Sequence, residues 1–204
     1  MLSVLISVAL ASDPSSPHPH QGHLTPISGK PAAIALTDAE KGLLAQGQVV
    51  QRQSQGDAGG IGVAVQYIFA PPDAVWDAIL GYDKYPDRVK NVASCSVYQR
   101  DGNNWYVDMQ NSVFGIKFGL YTVNHIFRDQ GYMTWELDYS RKSDVDDMTG
   151  YWLVEELQAE PPITRLQYST EMMLSGVPDM LVRYLTRESL VDGTAWVKRV
   201  AEGG

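Results

Sequence analysis

The stretch from Ile61 to Pro86, IGVAVQYIFAPPDAVWDAILGYDKYP, changes its local rules twice. It begins as an apolar, β-branched strand, Ile61 to Ala70. Pro71-Pro72 ends that strand, because two backbone donors are lost and the residue ahead of each proline is pushed out of the α region. Asp73 to Leu80 then takes helical spacing, with Val75, Trp76, Ile79 and Leu80 on one side. Tyr82 to Val92 reads as a second short helical or turn segment, broken at Pro86. Beyond this corner come strand after strand and then one long helix. The corner is therefore expected to turn a curved antiparallel sheet towards that helix and to leave a cavity between them.

Downstream of Ala93 the hydrophobic period becomes two. Ser94 to Arg100 and Trp105 to Gln110 alternate across Asp101-Gly102-Asn103, the pattern of a hairpin. A long strand from Gly115 to Arg128 puts Ile116, Phe118, Leu120 and Ile126 on one face, and Lys117, Tyr121, Val123 and His125 on the other. Met133, Trp135, Leu137 and Tyr139 oppose Thr134, Glu136 and Asp138, so one face should be buried and the other wet. Arg141 to Thr149 is an acidic loop with Asp144, Asp146 and Asp147, read as a solvated turn rather than a metal site. Gly150 to Leu157 resumes the sheet. The last strand sets Leu166, Tyr168, Thr170, Met172 and Leu174 against Arg165, Gln167, Ser169 and Glu171.

Upstream, Thr37-Asp38-Ala39-Glu40 is a capping box opening a helix from Asp38 to Gln46, and Gln48 to Gln55 is polar enough for an edge strand. Residues 12–35 are rich in Pro, Ser, His and Gly, the composition of a disordered linker. His18, His20 and His23 lie within it without a rigid frame or a cysteine, so no metal site is expected. Residues 1–11, MLSVLISVALA, form an apolar run ending in the small-x-small pattern of a signal-peptidase site, though no Lys or Arg precedes it. Export to the periplasm and cytoplasmic retention stand as alternatives. The run is shorter than the roughly 20 residues a spanning helix needs, so a soluble mature protein is expected.

Composition narrows the function. The 204 residues, 44% of them hydrophobic, suffice for one domain with a sizeable core. A net charge of -8 argues against nucleic acid as a partner. Cys95, the one cysteine, excludes an internal disulfide and reads as a small buried strand residue. There is no GxSxG elbow, HExxH motif or phosphate-cradling glycine loop. In the C-terminal helix, opened by Gly176 and Pro178, an apolar face runs through Val177, Met180, Leu181, Tyr184, Leu185, Val191 and Ala195. Glu188 falls near its middle. A carboxylate there needs a partner or water, so either the helix bends or Glu188 looks into a hydrated cavity.

The order strand, APPDAVWDAI, GYDKYPDRV, six-strand meander, Gly150-Tyr151-Trp152, Leu166-Gln167-Tyr168 and long C-terminal helix resembles the START-like or SRPBCC superfamily, in its polyketide cyclase/dehydrase and coenzyme Q-binding branch. The resemblance covers residues 47–201. It implies an α+β helix-grip fold, a curved antiparallel sheet wrapped around the C-terminal helix with two short helices after the first strand. It also implies a cavity for lipids, isoprenoids, quinones or polyketides. On this reading residues 36–203 form the ligand-binding domain, with its core at 61–201.

The expected cavity lining is Trp76, Tyr85, Phe118, Leu120, Trp135, Tyr139, Trp152, Tyr168, Met172, Tyr184 and Glu188, with Met133 and Leu137 as packing. The tyrosines weigh more, because each buried hydroxyl must find a partner. The first functional expectation is non-catalytic binding or carriage of an apolar small molecule, without a cofactor and with transient membrane contact for ligand exchange. A cyclase/dehydrase using Glu188 as its acid or base, beside Tyr168 or Tyr184, is the alternative. A protein-interaction domain using the exposed sheet face is a third class. His125 is expected at the surface and not as a general base.

Overall fold

The computed structural model describes residues 12–19, 22–56, 59–174, 190 and 192–204, with backbone alone at 54–56 and 59–60. The elements are α1 (Asp38–Ala45), β1 (Val50–Gly56), β2 (Gly59–Ile68), α2 (Pro72–Leu80), a 3-10 turn (Tyr82–Lys84), α3 (Tyr85–Arg88), β3 (Val92–Asp101), β4 (Asn104–Val113) and β5 (Ile116–Phe127). After a second 3-10 turn come β6 (Tyr132–Leu137), β7 (Asp147–Gln158) and β8 (Ile163–Met173), and residues 192–201 form the last helix, α4. The eight strands make one antiparallel sheet in the order β1-β2-β8-β7-β6-β5-β4-β3. Strands β3 to β8 are a six-strand meander, and β2 returns to pair with β8. This is the helix-grip architecture, with β1 at the polar edge.

Local chemistry explains the corner. Pro71 caps α2 in an extended conformation and Pro72 occupies the first turn, where its missing donor costs nothing. The helix therefore starts one residue earlier than its spacing indicates. Val75, Trp76, Ala78 and Ile79 are buried beneath it. Pro86 does not break the second segment; it sits in the first turn of α3 and helps to start it. The capping box of α1 is complete, with Glu40 N–H donating to Thr37 Oγ1 and Thr37 N–H to Glu40 Oε2. The β4–β5 connection is a two-residue turn at Phe114 and Gly115, both at positive φ, with Phe114 largely exposed.

Register sets the inner face. Phe118, Leu120, Thr122, Asn124 and Ile126 of β5 align with Met133, Trp135 and Leu137 of β6, and these with Gly150 and Trp152 of β7 and with Leu166, Tyr168 and Thr170 of β8. Two glycines make room on this face. At Gly150 a Cβ would stand 2.6 Å from Trp135 Cε2, so only glycine lets the indole lie over β7. At Gly62 a Cβ would meet Leu190 Cδ2 at 2.7 Å, so β2 admits the C-terminal helix there. Leu190, Thr194, Trp196 and Val197 are buried, whereas Ala195 is half-buried. The buried face of the described helix thus follows Leu190, Thr194 and Val197, at i, i+4 and i+7, rather than a line through Ala195.

The outer face differs from the half-wet sheet expected. Thr134, Asp138, Arg165, Gln167 and Ser169 are buried on it. The described residues of 12–35, assigned by composition to a disordered linker, lie along this face and cover it. Asp13 pairs with Lys142, and His18 N–H donates to Tyr139 O at 2.9 Å. Ser143 N–H donates to His18 Nδ1, which makes Nε2 the donor to Asp146 O at 2.8 Å. Gln167, fully buried, accepts from Ile34 N–H and Arg165 and donates to Ala32 O and Tyr151. Nearly all these bonds use backbone groups, which is why a segment poor in apolar side chains still docks.

The acidic loop is likewise no solvated turn throughout. Asp147 is 0% exposed and accepts from Leu24 N–H (2.6 Å), the Tyr139 hydroxyl (2.6 Å) and Met148 N–H (2.8 Å). Asp144 accepts from Gly119 N–H. A buried carboxylate survives only with donors of this number.

Candidate ligand-binding site

Between the inner face and the helices lies one cluster of side chains from every layer. Trp76 (2% exposed) enters from α2 and Tyr85 from α3; Phe118, Leu120, Trp135 and Trp152 come from the sheet; Trp196 comes from α4. Tyr168 and Met172 join it from β8 and keep some accessible surface although they project inward. Trp135 stacks on Tyr168 at 5.6 Å, and Trp152 lies 4.4 Å from Tyr168, so three rings form a continuous aromatic wall. Tyr85 meets Tyr82 at 5.2 Å and Trp196 edge-on at 5.0 Å, closing the side opened by the proline corner.

Tyr139 packs at the margin of this cluster, and its hydroxyl is committed to Asp147 beneath the N-terminal segment. Tyr184 and Glu188 lie outside the described residues. His125 projects from the opposite face, half-buried, with Nδ1 2.8 Å from Asn104 Oδ1 and Nε2 3.5 Å from Glu136. Several contributors escaped the sequence reading. Tyr82 is buried with its hydroxyl 3.8 Å from Met133 Sδ. Trp196 and the inner-face polar groups Gln66, Thr122 and Asn124 were also missed, and Thr170, set by its alternation on the face of Tyr168, was not read as lining. Strand parity alone would have found Thr122 and Asn124, which share the phase of Phe118 and Leu120.

Among the described residues the electrostatics keep the cluster neutral. Burial pushes the Tyr82 and Tyr85 phenols well above their ordinary range. The Tyr168 phenol is pushed up to about 12 by burial, which the neighbouring Thr170 hydroxyl partly offsets. The Cys95 thiol rises to about 12, first through burial and then through Asp108 and Asp83. Tyr85 satisfies itself by donating to Ile79 O at 2.6 Å. These phenols are hydrogen-bond donors at neutral pH, not bases. The inner-face positions 116 to 126, 133 to 137, 148 to 154 and 166 to 172 carry no carboxylate. Among the described residues no group of His, Cys, Asp and Glu has the geometry to hold a metal ion. An open hollow of about 500 Å³ is lined by Trp76 and Val154 together with Lys30, Asp73, Arg128, Asp129 and Glu155 among others. Its charged rim, with Arg128 held by Asp73 and Asp77, suits water rather than an apolar molecule.

No match is found among curated proteins. Solved structures share the fold. TTHA0849 from Thermus thermophilus is 19% identical at a TM-score of 0.59, covering 68% of this chain and 94% of its own. A START superfamily protein from Mycobacterium smegmatis is 15% identical at 0.56, covering 76% and 97%. The ZhuI aromatase/cyclase from Streptomyces sp. R1128 is 15% identical at 0.53, covering 76% and 93%. The family described as polyketide cyclase / dehydrase and lipid transport matches residues 68–191, from the end of β2 to the residue before α4. That match spans more than half of the chain, which therefore belongs to this START-like family.

Proposed function

We propose that the protein binds and carries an apolar small molecule between the inner face of the sheet and its C-terminal helix. The observation that carries this reading is Tyr168, which stands among Trp135, Trp152 and Met172 in the interior and still keeps accessible surface. A wall of this kind, apolar with a few hydrogen-bonding groups, is what a ligand pocket requires. Titration with the apolar reporter N-phenyl-1-naphthylamine tests it. Saturable binding that Trp76→Ala weakens supports the reading, and a lack of saturable binding refutes it. Ligand exchange by transient membrane contact is the accompanying proposal; among the described residues no helix is long and apolar enough to cross a membrane.

A cyclase/dehydrase is the second reading, favoured by the likeness in fold to a protein named an aromatase/cyclase. Its acid or base would be Glu188, since the phenols of the described cluster are too weakly acidic to serve at neutral pH. Glu188→Gln separates the two: a carrier keeps most of its affinity, whereas an enzyme loses turnover. The outer sheet face is largely taken up by the chain's own N-terminal segment, which weighs against the protein-interaction reading.

A further inference from the structure

Maturation of the chain is independent of what the cavity binds, and the residue that bears on it is Ser12. In sequence, Ser12 follows the apolar run 1–11 and the small residues Ala9 and Ala11, the pattern that a signal peptidase cuts directly after Ala11. In the fold, Ser12 is half-buried over Gly119 on the outer face of β5. These two observations are independent of each other, and they meet at one peptide bond.

The seat of Ser12 is specific. Its Oγ occupies the place that a Cβ on Gly119 would need, and the Gln110 side-chain amide stands 2.7 Å from the same point, so β5 carries a glycine where the segment lands. The Ser12 hydroxyl hydrogen-bonds the phenol of buried Tyr121. Asp13 forms a two-bond bridge with Lys142: Asp13 N–H donates to Lys142 O at 2.9 Å, and Lys142 N–H to Asp13 O at 3.0 Å. The Asp13 carboxylate then turns the chain by accepting from Ser15 N–H and from the Ser15 and Ser16 hydroxyls. A peptidase needs the backbone on both sides of the scissile bond free of such engagements. Cleavage after Ala11 therefore has to precede docking, as it does for a chain cut while it crosses a membrane unfolded.

The charges around this seat are out of balance. Asp144 accepts from Gly119 N–H at the glycine under Ser12, and Asp108 stands opposite Tyr121 in the β4–β5 register. Burial first, then the charges of Asp108 and Asp13, push the Tyr121 phenol up, although Ser12 and Arg141 offset part of this. The cations on this side are Arg141 and Lys142, and Arg141 already lies 3.7 Å from a further carboxylate, Asp138. An α-ammonium on Ser12 would enter this acidic group with the opposite sign, a favourable if modest pairing.

We propose that the Ala11–Ser12 bond is a processing site: a signal peptidase removes residues 1–11 during export, and the mature chain begins at Ser12 with its α-ammonium held among Asp13, Asp108 and Asp144. In that hydrolysis the oxygen of water bonds to the Ala11 acyl carbon as the C–N bond breaks. Both protons of the water end on the Ser12 nitrogen, which leaves an ammonium there and a carboxylate on Ala11.

Expression of the full-length gene in its own cells tests this. Intact mass and N-terminal peptide mapping of the purified protein show Ser12 as the first residue. Ala11→Arg, which denies the peptidase its small residue, leaves residues 1–11 attached and the protein in the membrane fraction. A wild-type protein that keeps residues 1–11, or that begins at any other residue, overturns the proposal. A glycine inserted between Ala11 and Ser12 tests the ammonium, because processing then leaves one extra residue and moves the charge off its carboxylates. The insertion lowers Tm by about 1–3 °C at pH 7, and by less when Asp108→Asn is also present. An unchanged Tm on insertion, or an equal loss with Asp108→Asn, overturns the placement of the ammonium.

Discussion

Gly150→Ala is the sharpest structural test of the aromatic wall. The new methyl carbon would stand 2.6 Å from Trp135 Cε2, closer still to Cζ2, and inside contact with the Ser169 carbonyl oxygen on β8. Neither neighbour yields easily: one is an indole stacked on Tyr168, the other is backbone within a strand ladder. Overpacking of this kind costs about 1–3 kcal/mol. The lower entropy of the unfolded alanine chain returns about 0.4–1 kcal/mol. The net loss is about 1–2 kcal/mol, or about 2–8 °C in Tm for a chain of this size. Thermal unfolding followed by far-UV circular dichroism measures the loss, and near-UV spectra report the displaced tryptophan. Combining Gly150→Ala with Trp135→Leu, which vacates the contested space, should cost at least about 0.5 kcal/mol less than the sum of the single changes. An unchanged or higher Tm for Gly150→Ala, or strict additivity, would refute the packing described.

Asp147→Ala strips the acceptor from Leu24 N–H, Tyr139 and Met148 N–H and leaves them buried, so urea denaturation should show a loss of about 2–4 kcal/mol. Removing residues 1–36 should lower Tm and raise amide exchange along β7 and β8, because Gln167 and Arg165 lose Ile34 and Ala32; a mere linker could be cut without effect. Cys95 should resist iodoacetamide in the native state at pH 9, since burial lifts its thiol from 9.0 to about 12. The sign for stability follows: the folded state favours the neutral thiol, so this contribution is complete below pH 9 and is lost as the pH rises towards 12. The Tyr168 phenol, lifted from 10.0 to about 12, acts in the same direction between those values, and alkaline unfolding curves should show both.

Much of the fold was legible because the signals were local. The capping box at Thr37 and Glu40, the Pro71-Pro72 corner and the alternation of β6 and β8 each depend on a few adjacent residues. What was not legible depends on distant partners. Residues 12–35 carry little apolar surface and dock through backbone groups, which composition does not register. Asp147 looks like one more carboxylate in an acidic loop until Leu24 and Tyr139 are brought to it. The phase of the last helix is set by the gap at Gly62 that receives Leu190, and no helical wheel contains that gap. Trp76, Trp135 and Trp152 were readable as interior residues, whereas the pairing of Trp135 with Gly150 and of Met133 with Trp152 emerges only from strand register.

The central claim is that the sheet and the C-terminal helix enclose an apolar small molecule. Native mass spectrometry of the protein purified from its own cells under gentle conditions tests it most directly. The account predicts a population heavier than the chain by one small molecule, which dissociates on collisional activation and extracts into organic solvent. A protein that carries no small molecule, and that takes up no N-phenyl-1-naphthylamine, would contradict the account.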